Sequence, residues 1–446
     1  MKRATRSAAI LRVVRCLPIA LLATVVLSLV GASTSALAIP VGHTYDRSFG
    51  EYGTAGGQFR VEYSGMGMDV DQSNGDIYIA DTSNFRVQKF DEDGNFILTW
   101  GYGVKNGADE FQVCKAPETC QEGLFGNAPG QFQNPMSVAV DSSGGPNDGD
   151  VYVVDANSPC CAPGGGRQVI LKFSEEGQYL STITGEGSPS GHFYNLPWRR
   201  GVSVDNQGFV WVLDGIDFGV TPRVLKFSNQ ASNAYVGGSE WIPTISPRGN
   251  PETGFTWEFA VAPDGSHVYL MGMSEECEWV YRFVANGSAS RRVLRIPACF
   301  GFSSDVAISP ANEHVFFNRG NQIQEYIDNP LGPETVGPEF GPEQLNEVQG
   351  LVVNGDTGEV YAGDPSQAKV FVFHARRVPE VITGEATGVL HTMATINGHT
   401  APDPVDGGPV NACHFEWGLT TTYEHVTECE QSPPFAGPTD VHLDLT

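Results

Sequence analysis

Residues 68–81 read Met68-Asp69-Val70-Asp71-Gln72-Ser73-Asn74-Gly75-Asp76-Ile77-Tyr78-Ile79-Ala80-Asp81 and decide the fold of this chain. Alternating apolar side chains predict a short strand, Ser-Asn-Gly predicts a tight turn, and the apolar run after it predicts a second strand. A third strand follows and ends in the aromatic Phe90. Strands this short cannot bury both of their faces within one unit, so the stretch requires neighbours of the same kind.

Five further copies of this pattern follow, up to residue 373. The copies share an apolar anchor in the first strand and an aromatic side chain in the second. The anchors are Val70, Val140, Val204, Val261, Ile308 and Val353, at intervals of 70, 64, 57, 47 and 45 residues. The second-strand aromatics are Tyr78, Tyr152, Trp211, Tyr269, Phe316 and Tyr361. Short strand units of this kind bury their faces by stacking radially, which predicts an all-β fold, a six-bladed β-propeller.

Closure of the ring can also be predicted. The sixth copy ends with its third strand at residues 369–374, whereas the first two copies continue into a fourth strand. Residues 44–50, with the sequence TYDRSFG, precede the first copy and resemble that missing strand. We predict that residues 45–49 pair with the last copy, which would protect both sheet edges.

Composition restricts the class of protein and of partner. The 446 residues include 53 Gly and 29 Pro, spread among β-branched and aromatic runs, and 40% of the chain is hydrophobic. These values favour many short strands around a substantial core, and they argue against disorder and collagen. The chain has 52 Asp and Glu against 26 Lys and Arg, a net charge of -26. Because phosphate binding needs clustered bases, this acidity excludes nucleic acid as an expected partner.

The first 38 residues are typical of a secretory signal peptide. Five bases, the last of them Arg15, precede an apolar run at 17–30 and the small-residue site that ends at Ala38. The run is shorter than the roughly 20 residues of a membrane-spanning helix, so we expect cleavage near Ala38 and no membrane span in the mature chain. Loss of five bases leaves 21 against 52 acids, a net charge of -31. We predict a secreted or cell-surface protein.

The repeats resemble a known family. Copy one contains Gly57-Gln58-Phe59, Asp76-Ile77-Tyr78-Ile79-Ala80-Asp81 and Asn84-Phe85-Arg86-Val87-Gln88-Lys89-Phe90, which are similar to an NHL repeat. Copies two and three are similar to it as well, whereas copies four and five depart and have Gly272 and Asn318 near the family's Asp position. The resemblance covers about residues 41–377 and implies a propeller. Such propellers serve binding, scaffolding and several chemistries.

A different module follows at residues 378–446. Its apolar stretches, with Cys413-His414-Phe415-Glu416-Trp417 and Cys429, resemble the start of a Cys-bracketed fibronectin-type-III-like sandwich of exported proteins. A complete sandwich of this kind has about 100 residues, whereas 69 remain here. We therefore expect an incomplete β-sandwich, as in a fragment or a truncated gene product.

One face of the predicted propeller carries the long insertions. Loops between second and third strands and links between consecutive blades lie on the same face of such a fold. They comprise residues 102–129, 156–166, 186–197, 215–222 and 274–277, and we call this the insertion-rich face. Repeat proteins that lengthen loops on one face usually bind with it. We predict a monomeric extracellular binding or scaffold protein whose protein or carbohydrate ligand meets this face.

Eight cysteines remain after removal of the signal, and an even number in an exported chain favours disulfides. They are Cys114, Cys120, Cys160, Cys161, Cys277, Cys299, Cys413 and Cys429. Cys277 and Cys299 fall in consecutive loops of the insertion-rich face and are expected to pair. The first four pair either as 114 with 120 and 160 with 161, or across, because a vicinal bridge is strained. No C-x-x-C pair occurs, which argues against metal ligation.

Polar and charged residues around the turn between the second and third strands are the candidates for ligand contact. They are Asp81, Asn84, Arg86, Asp155, Arg167, Asp214 and Arg223. In one interpretation they present an alternating ring of charge to a ligand. In the other, which we favour, each Asp accepts hydrogen bonds from its own loop and pairs with the Arg, so that the set holds the edge of each blade.

An enzymatic alternative depends on three acids near the predicted channel. Propellers of the lactonase and amidating-lyase type hold a cation there, so a calcium-dependent hydrolase or lyase is the second hypothesis. Glu258 and Asp305 share one register, and Glu347 lies near the start of the sixth inner strand. Copies one to three have only glycine or serine in that register, so we expect no cofactor. The chain has no Ser/His/Asp order or H-E-x-x-H motif, and no catalytic residue is predicted.

Overall fold

The computed structural model describes residues 40–61, 65–156, 166–197, 200–215, 223–239, 255–273, 278–284, 290–295, 305–327, 335–377, 380–390, 392–402, 410–417 and 425–445. The expected signal segment lies outside these residues, as do Cys160, Cys161, Cys277 and Cys299, and what was predicted for them remains a prediction. The chain divides into two compact units. One is Gly42–Ala375, called here the repeat unit, and the other combines Met1–Val41 with Arg376–Thr446.

The described part of the repeat unit is built from antiparallel β-sheets, so the predicted all-β fold is confirmed. Sheet 1 contains β2 (Met68–Val70), β3 (Ile77–Asp81), β4 (Arg86–Phe90), β5 (Phe96–Tyr102) and β6 (Phe111–Lys115). A single 3₁₀ turn at Thr82–Asn84 joins β3 to β4. No helix in the described ranges is long and apolar enough to cross a membrane.

Sheets 2 to 5 repeat a four-strand order in which each strand pairs with the next along the chain. Sheet 2 contains β7 (Pro135–Val140), β8 (Val151–Ala156), β9 (Gln168–Phe173) and β10 (Tyr179–Ile183). Sheet 3 contains β11 (Val202–Val204), β12 (Val210–Asp214), β13 (Arg223–Phe227) and β14 (Tyr235–Ser239). Sheet 4 contains β15 (Phe255–Val261), β16 (His267–Met273), β17 (Glu278–Val284) and β18 (Ser290–Arg295). Sheet 5 contains β19 (Val306–Ile308), β20 (Val315–Arg319), β21 (Gln322–Ile327) and β22 (Thr335–Phe340).

Sheet 6 is completed by the strand that comes first in the chain. It contains β23 (Leu351–Val353), β24 (Val360–Asp364) and β25 (Lys369–Arg377), and β1 (Pro40–Phe49) is hydrogen-bonded to β25. Arg47 of β1 pairs with Glu359 at 2.9 Å, and the Tyr361 hydroxyl donates to the same carboxylate at 2.7 Å. The predicted pairing of residues 45–49 with the last copy is confirmed.

The first strand of each sheet lies at the centre of the repeat unit. β2, β7, β11, β15, β19 and β23 are neighbours in that order, and β23 is in turn a neighbour of β2. Gln72, just after β2, connects the first and last of them. Its Nε2 donates to Val353 O at 3.0 Å, and its Oε1 accepts from Gly355 N–H at 2.8 Å. The inner strands therefore surround a shared channel.

Aromatic side chains fill the space between neighbouring sheets. Phe173, at the end of β9 in sheet 2, lies 5.6 Å from Trp100 of sheet 1 and 5.5 Å from Phe132, measured between ring centroids. Phe90 and Phe227 occupy the same place in sheets 1 and 3, and all five side chains are buried. Burial of one such side chain stabilises the fold by roughly 1.5–3 kcal/mol. The aromatic that ends each third strand is therefore central to the packing.

Sheet 1 has a fifth strand that the sequence interpretation missed. β6 pairs antiparallel with β5 and lies within the insertion 102–129, which was expected to be a loop. Cys114 at the end of β6 forms a disulfide with Cys120, with their Cα atoms 5.7 Å apart. The alternative in which these two cysteines pair across with Cys160 and Cys161 is therefore wrong, because the chain returns at once after β6 and brings the two sulfurs together.

In the other unit, the described residues form one three-stranded sheet and one hairpin. The sheet contains β26 (Glu380–Thr383), β27 (Ala394–Ala401) and β30 (Thr439–Leu445), with β27 in the middle. The hairpin contains β28 (His414–Trp417) and β29 (His425–Glu428), and the disulfide Cys413–Cys429 joins its open end. The last described residues, Thr439–Leu445, thus form an edge strand of this sheet.

Candidate functional site

A buried aspartate ends the second strand of sheet 1. Asp81 accepts hydrogen bonds from the Arg60 backbone N–H at 2.9 Å, the Asn84 side chain at 2.8 Å and the Gln88 side chain at 3.0 Å. Arg86 lies opposite on β4 and donates its Nε–H to Asp81 Oδ2 at 2.8 Å. Burial raises the pKa of Asp81, and the charge of Arg86 opposes that rise. The carboxylate thereby ties the link before sheet 1 to its strands.

The Arg86 guanidinium is satisfied by its own surroundings. Nη1 donates to Thr54 O and Gln121 O, both at 2.8 Å. Nη2 donates to Ala55 O at 2.7 Å and to Gln58 O at 2.9 Å. With Nε on the aspartate, all five N–H groups have acceptors. Arg86 therefore binds the two links that flank sheet 1 and presents no charge to a ligand.

The same arrangement recurs at the ends of β8 and β12. Each aspartate accepts two backbone N–H groups from the link before its sheet, at 2.6 to 3.0 Å. Asp155 pairs with Arg167 at 3.1 Å, and Asp214 pairs with Arg223 at 2.7 Å. Burial raises the pKa of Asp155 to about 6, although Arg167 acts in the opposite direction.

In sheets 5 and 6 the end of the second strand also contacts a link between sheets, but no arginine takes part. Asp364 of β24 accepts from Asn346 N–H at 2.7 Å and from the Gln367 side chain at 2.7 Å, so Gln367 takes the arginine's place. In sheet 5, Asn318 donates to Val348 O in the link into sheet 6 at 3.1 Å. The position that ends the second strand therefore connects sheet to link whether or not a charge pair is formed.

The charged residues predicted as ligand contacts are thus turned inward. Asp81, Asn84, Arg86, Asp155 and Asp214 have no exposed surface, and Arg223 is buried as well. Arg167 retains a small exposed fraction of 13%. The structure brings each aspartate together with its arginine, in agreement with the interpretation in which the set holds the edges of the sheets. Their contribution to any binding site is to fix the links.

These fixed links expose aromatic side chains. Tyr52, Phe125 and Tyr194 are 67%, 56% and 44% exposed. Tyr52 and Phe125 hold equivalent positions, seven residues before Phe59 and Phe132, which are both buried. Sequence analysis missed all three. The sequence did indicate two of them, Tyr52 and Phe125. Each directly precedes a glycine in a polar link, outside the alternating apolar pattern of the strands.

Two of the three exposed aromatics contact side chains that are less exposed, the half-buried Phe85 and the buried Arg223. Phe125 contacts Phe85 edge to face, at 5.6 Å between ring centroids. The Arg223 guanidinium lies 4.5 Å from the centre of the Tyr194 ring, a cation–π contact. Because the supporting residues are held by the sheets, these rings lose little conformational freedom when they contact a partner. They are suited to be anchors of an interface.

The links around these aromatics are acidic. In residues 50–60, 102–129 and 186–197 the acids are Glu51, Asp109, Glu110, Glu118, Glu122 and Glu186, and the bases are Arg60, Lys105 and Lys115. Two of the bases already pair within the links, Arg60 with Glu122 at 3.6 Å and Lys105 with Glu118 at 2.6 Å. The described part of the insertion-rich face therefore combines exposed rings with a net negative charge.

The three acids of the enzymatic hypothesis make hydrogen bonds within the chain. Glu258 Oε2 accepts the Arg200 backbone N–H at 3.0 Å, and Asp305 accepts the next backbone N–H along the chain at 2.7 Å. Glu347 accepts from the side chain of Gln349. Within the described ranges, no three His, Cys, Asp or Glu side chains are grouped so that they could hold a metal ion. Each of the three acids is therefore engaged in a hydrogen bond within the chain.

A cavity of about 200 Å³ lies between the inner strands of all six sheets. Its lining contains both polar and apolar side chains, and the apolar ones include Val70, Val140, Val202, Val204, Val261, Ile308 and Val353. Gln72, Ser142, Asn206, Pro263 and Pro310 line it at the ends of the inner strands, where the turns begin. Links precede the inner strands and turns follow them, so this end of the channel is opposite the insertion-rich face.

Comparison with known protein families identifies the repeat. Residues 67–90, which contain β2, β3, β4 and the Asp81–Arg86 pair, match the family model named NHL repeat. The chain carries an NHL repeat. The resemblance seen in copy one is thereby confirmed, and together with the sheets around a shared channel it supports an NHL-type propeller.

Individual proteins are similar over limited regions. The chain is 30% identical to Protein brain tumor of Drosophila melanogaster over 170 residues, 38% of this chain and 12% of that protein. It is 32% identical to B-box type zinc finger protein ncl-1 of Caenorhabditis elegans over 123 residues, 22% of this chain and 14% of that protein. The chain thus spans no more than 14% of either relative. The β-propeller domain of Cps50 (Swd1) from Myceliophteria thermophila has a TM-score of 0.42 and 7% identity, over 75% of this chain and 100% of that one.

Proposed function

We propose that this chain is an exported NHL-type propeller of six blades that binds a protein partner through its insertion-rich face. The six blades correspond to sheets 1 to 6, and two observations support the closed ring. The inner strands are neighbours in cyclic order, and β1 completes sheet 6. The other unit follows as a fibronectin-type-III-like module outside the cell, and the protein acts as a monomer.

The observation that carries the binding role is the row of exposed aromatics on fixed links. Tyr52, Phe125 and Tyr194 belong to the links that Arg86, Arg167 and Arg223 hold, on three consecutive sheets. Protein interfaces place aromatic anchors of this kind at their centre and polar groups around them. The acidic residues of the same links supply that polar rim and favour a partner with positive charge.

Site-specific photo-crosslinking tests this role. A photoreactive phenylalanine analogue replaces Tyr52, Phe125 or Tyr194 in turn, and the protein is exposed to the secreted proteins of its source. We expect one protein adduct shared by the three positions. Leu180 and Val236, 48% and 53% exposed on β10 and β14, serve as matched controls and should give none. Equal adducts at all five positions, or none, would contradict the proposal, and binding only to immobilised glycans would assign the face to carbohydrate.

Export has its own test. N-terminal sequencing of the protein recovered outside the producing cells should begin at Ile39. A protein that retains residues 1–38, or one found only inside the cells, would contradict the proposed location.

A further inference from the structure

The channel cavity extends to the turns that follow the inner strands, where Gln72, Ser142 and Asn206 line it. At the other end Arg200 lines both this cavity and a second space of about 10 Å³, which Ser137, Asp305 and Gln349 also line. One water needs roughly 10–15 Å³ of such space, so the passage there admits about one water. Arg200 therefore forms the floor of a pocket that opens away from the insertion-rich face.

Arg200 is held in the channel by two other sheets. Its backbone N–H donates to Glu258 Oε2 of sheet 4 at 3.0 Å, and its Nη2 donates to Leu351 O of sheet 6 at 2.8 Å. The residue itself precedes β11 of sheet 3. Sheet 4 thus holds the backbone of Arg200 and sheet 6 its guanidinium, in a cavity whose lining includes eight valines.

Asp69 supplies the opposite charge. It lies on β2, lines the same cavity, and accepts the Val140 N–H at 3.0 Å through Oδ2. Burial raises the pKa of Asp69, and the positive charge of Arg200 opposes that rise, so the two groups attract each other. They form no direct ion pair in the described structure. Asp205, the third charged residue of the lining, is occupied by two backbone N–H groups and by the Trp211 indole.

We propose that this cavity binds a small apolar α-amino acid, with its carboxylate on Arg200, its ammonium on Asp69 and its side chain against the valines. A guanidinium binds a carboxylate through two parallel hydrogen bonds. Both residues are half-buried, so a ligand that carries both charges pairs each of them, whereas a singly charged ligand leaves one of them without an opposite charge. The cavity of about 200 Å³ has room for about 13 to 20 waters at roughly 10–15 Å³ each, which is enough space for valine or leucine. This site is independent of the proposed protein-binding face.

Isothermal titration calorimetry on the full mature protein tests the site. The probes are leucine and valine, with 4-methylpentanoate and 3-methylbutylamine as analogues that keep one charge each. We expect saturable binding of the amino acids and at least about tenfold weaker binding of both analogues, a loss of about 1.4 kcal/mol or more. Asp69→Asn should weaken amino acid binding to a similar extent, because it removes the partner of the ammonium group.

A pair of valine substitutions distinguishes the cavity from the rest of the surface. Val204→Phe fills the cavity and should abolish binding, whereas Val236→Phe makes the same change on the exposed edge of sheet 3 and should leave it intact. Circular dichroism verifies that each variant is folded. The proposal is overturned if no amino acid binds at millimolar concentration, if the analogues bind as well as leucine, or if folded Val204→Phe binds like the parent protein.

Discussion

Arg86 donates its Nε–H to Asp81 Oδ2 at 2.8 Å, and neither side chain has any exposed surface. The pair lies within residues 67–90, the part of the chain that matches the NHL repeat. The other four N–H groups of the Arg86 guanidinium donate to backbone carbonyls in the links on both sides of sheet 1. A buried charge pair of this kind is a weak source of net stability when intact, but its disruption leaves one uncompensated charge inside the protein.

Replacement of Arg86 by methionine should strongly destabilise the repeat unit. It leaves the Asp81 carboxylate buried without its charge partner and four link carbonyls without a donor, so we expect the free energy of unfolding to fall by about 3–5 kcal/mol. Urea denaturation followed by tryptophan fluorescence measures this change. Lys105→Met is the control, since Lys105 and its partner Glu118 are 47% and 44% exposed and their pair should contribute less than about 1 kcal/mol. Similar losses in both variants would contradict the special role of the buried pair.

Deletion of β1 should expose an edge of sheet 6. A chain that begins at residue 51 lacks the strand paired with β25, and an unpaired strand edge promotes association between chains. We expect this variant to form higher oligomers in size-exclusion chromatography and to exchange the amide hydrogens of β25 faster. A chain that begins at Ile39, the expected mature N-terminus, is the control. A monomeric variant with protected β25 amides would show that sheet 6 is complete without β1.

The two described disulfides should differ in their effects. Cys114–Cys120 closes a short loop, with a sequence separation of 6, and Cys413–Cys429 closes a longer one, with a separation of 16. Loop-closure entropy predicts losses of about 2 and about 3 kcal/mol on their removal. Double Cys→Ala variants, measured by thermal unfolding, should therefore affect the unit to which each bridge belongs. The reverse order, with the greater loss at Cys114–Cys120, would indicate that packing of β6 outweighs the entropy.

His43 should make the repeat unit sensitive to acid. The ring is buried on β1, stacks on Phe340 at 4.6 Å, and has its Nε2 3.2 Å from Gly358 O. The Nδ1 atom is buried without a hydrogen-bond partner among the described residues. Burial lowers the pKa of His43, an effect that Glu325 opposes and His374 reinforces. The unfolded chain therefore binds the proton more tightly than the folded one.

The sign of the pH dependence follows from that difference. The stabilising contribution of neutral His43 is complete above the unfolded pKa of about 6.5 and is lost as the pH falls below it. Unfolding free energies measured from pH 7.5 to pH 5 should decrease in the parent protein and decrease less in His43→Phe. His192→Gln, a change at an exposed histidine, should keep the parent slope. Parallel slopes for His43→Phe and the parent would assign the acid sensitivity to other groups.

The fold could be predicted from sequence where local and repeated patterns coincide. The first-strand anchors and the second-strand aromatics predicted the sheets, and the missing fourth strand of the last copy predicted the role of β1. β6 was missed because its residues lie outside the repeat, although it pairs with β5 and contains Cys114 of the Cys114–Cys120 disulfide. A repeated strand can be recognised because other copies in the same chain share its pattern, whereas an inserted strand such as β6 has no equivalent copy.

The candidate site was predicted less completely. The pairing of Asp81 with Arg86 could be predicted from their positions in the repeat. That Arg200 and Asp69 line the same cavity was not predicted. They are 131 residues apart in sequence and belong to different sheets, so only the ring brings them into one cavity. Exposed aromatics such as Tyr52 were also missed, because the sequence of an irregular link does not show whether a side chain will be buried or exposed.

Completion of sheet 6 also affects the order in which the protein can fold. Arg47 and Glu359 are 312 residues apart in sequence. β1 is therefore synthesised long before β25, the strand with which it pairs. Sheets 1 to 5 consist of strands close in sequence and can form as they emerge, but contacts of such long range form slowly. A nascent chain therefore keeps one unpaired strand until the repeat unit is complete, and an interruption of synthesis between these residues leaves a product in which β1 has no partner strand.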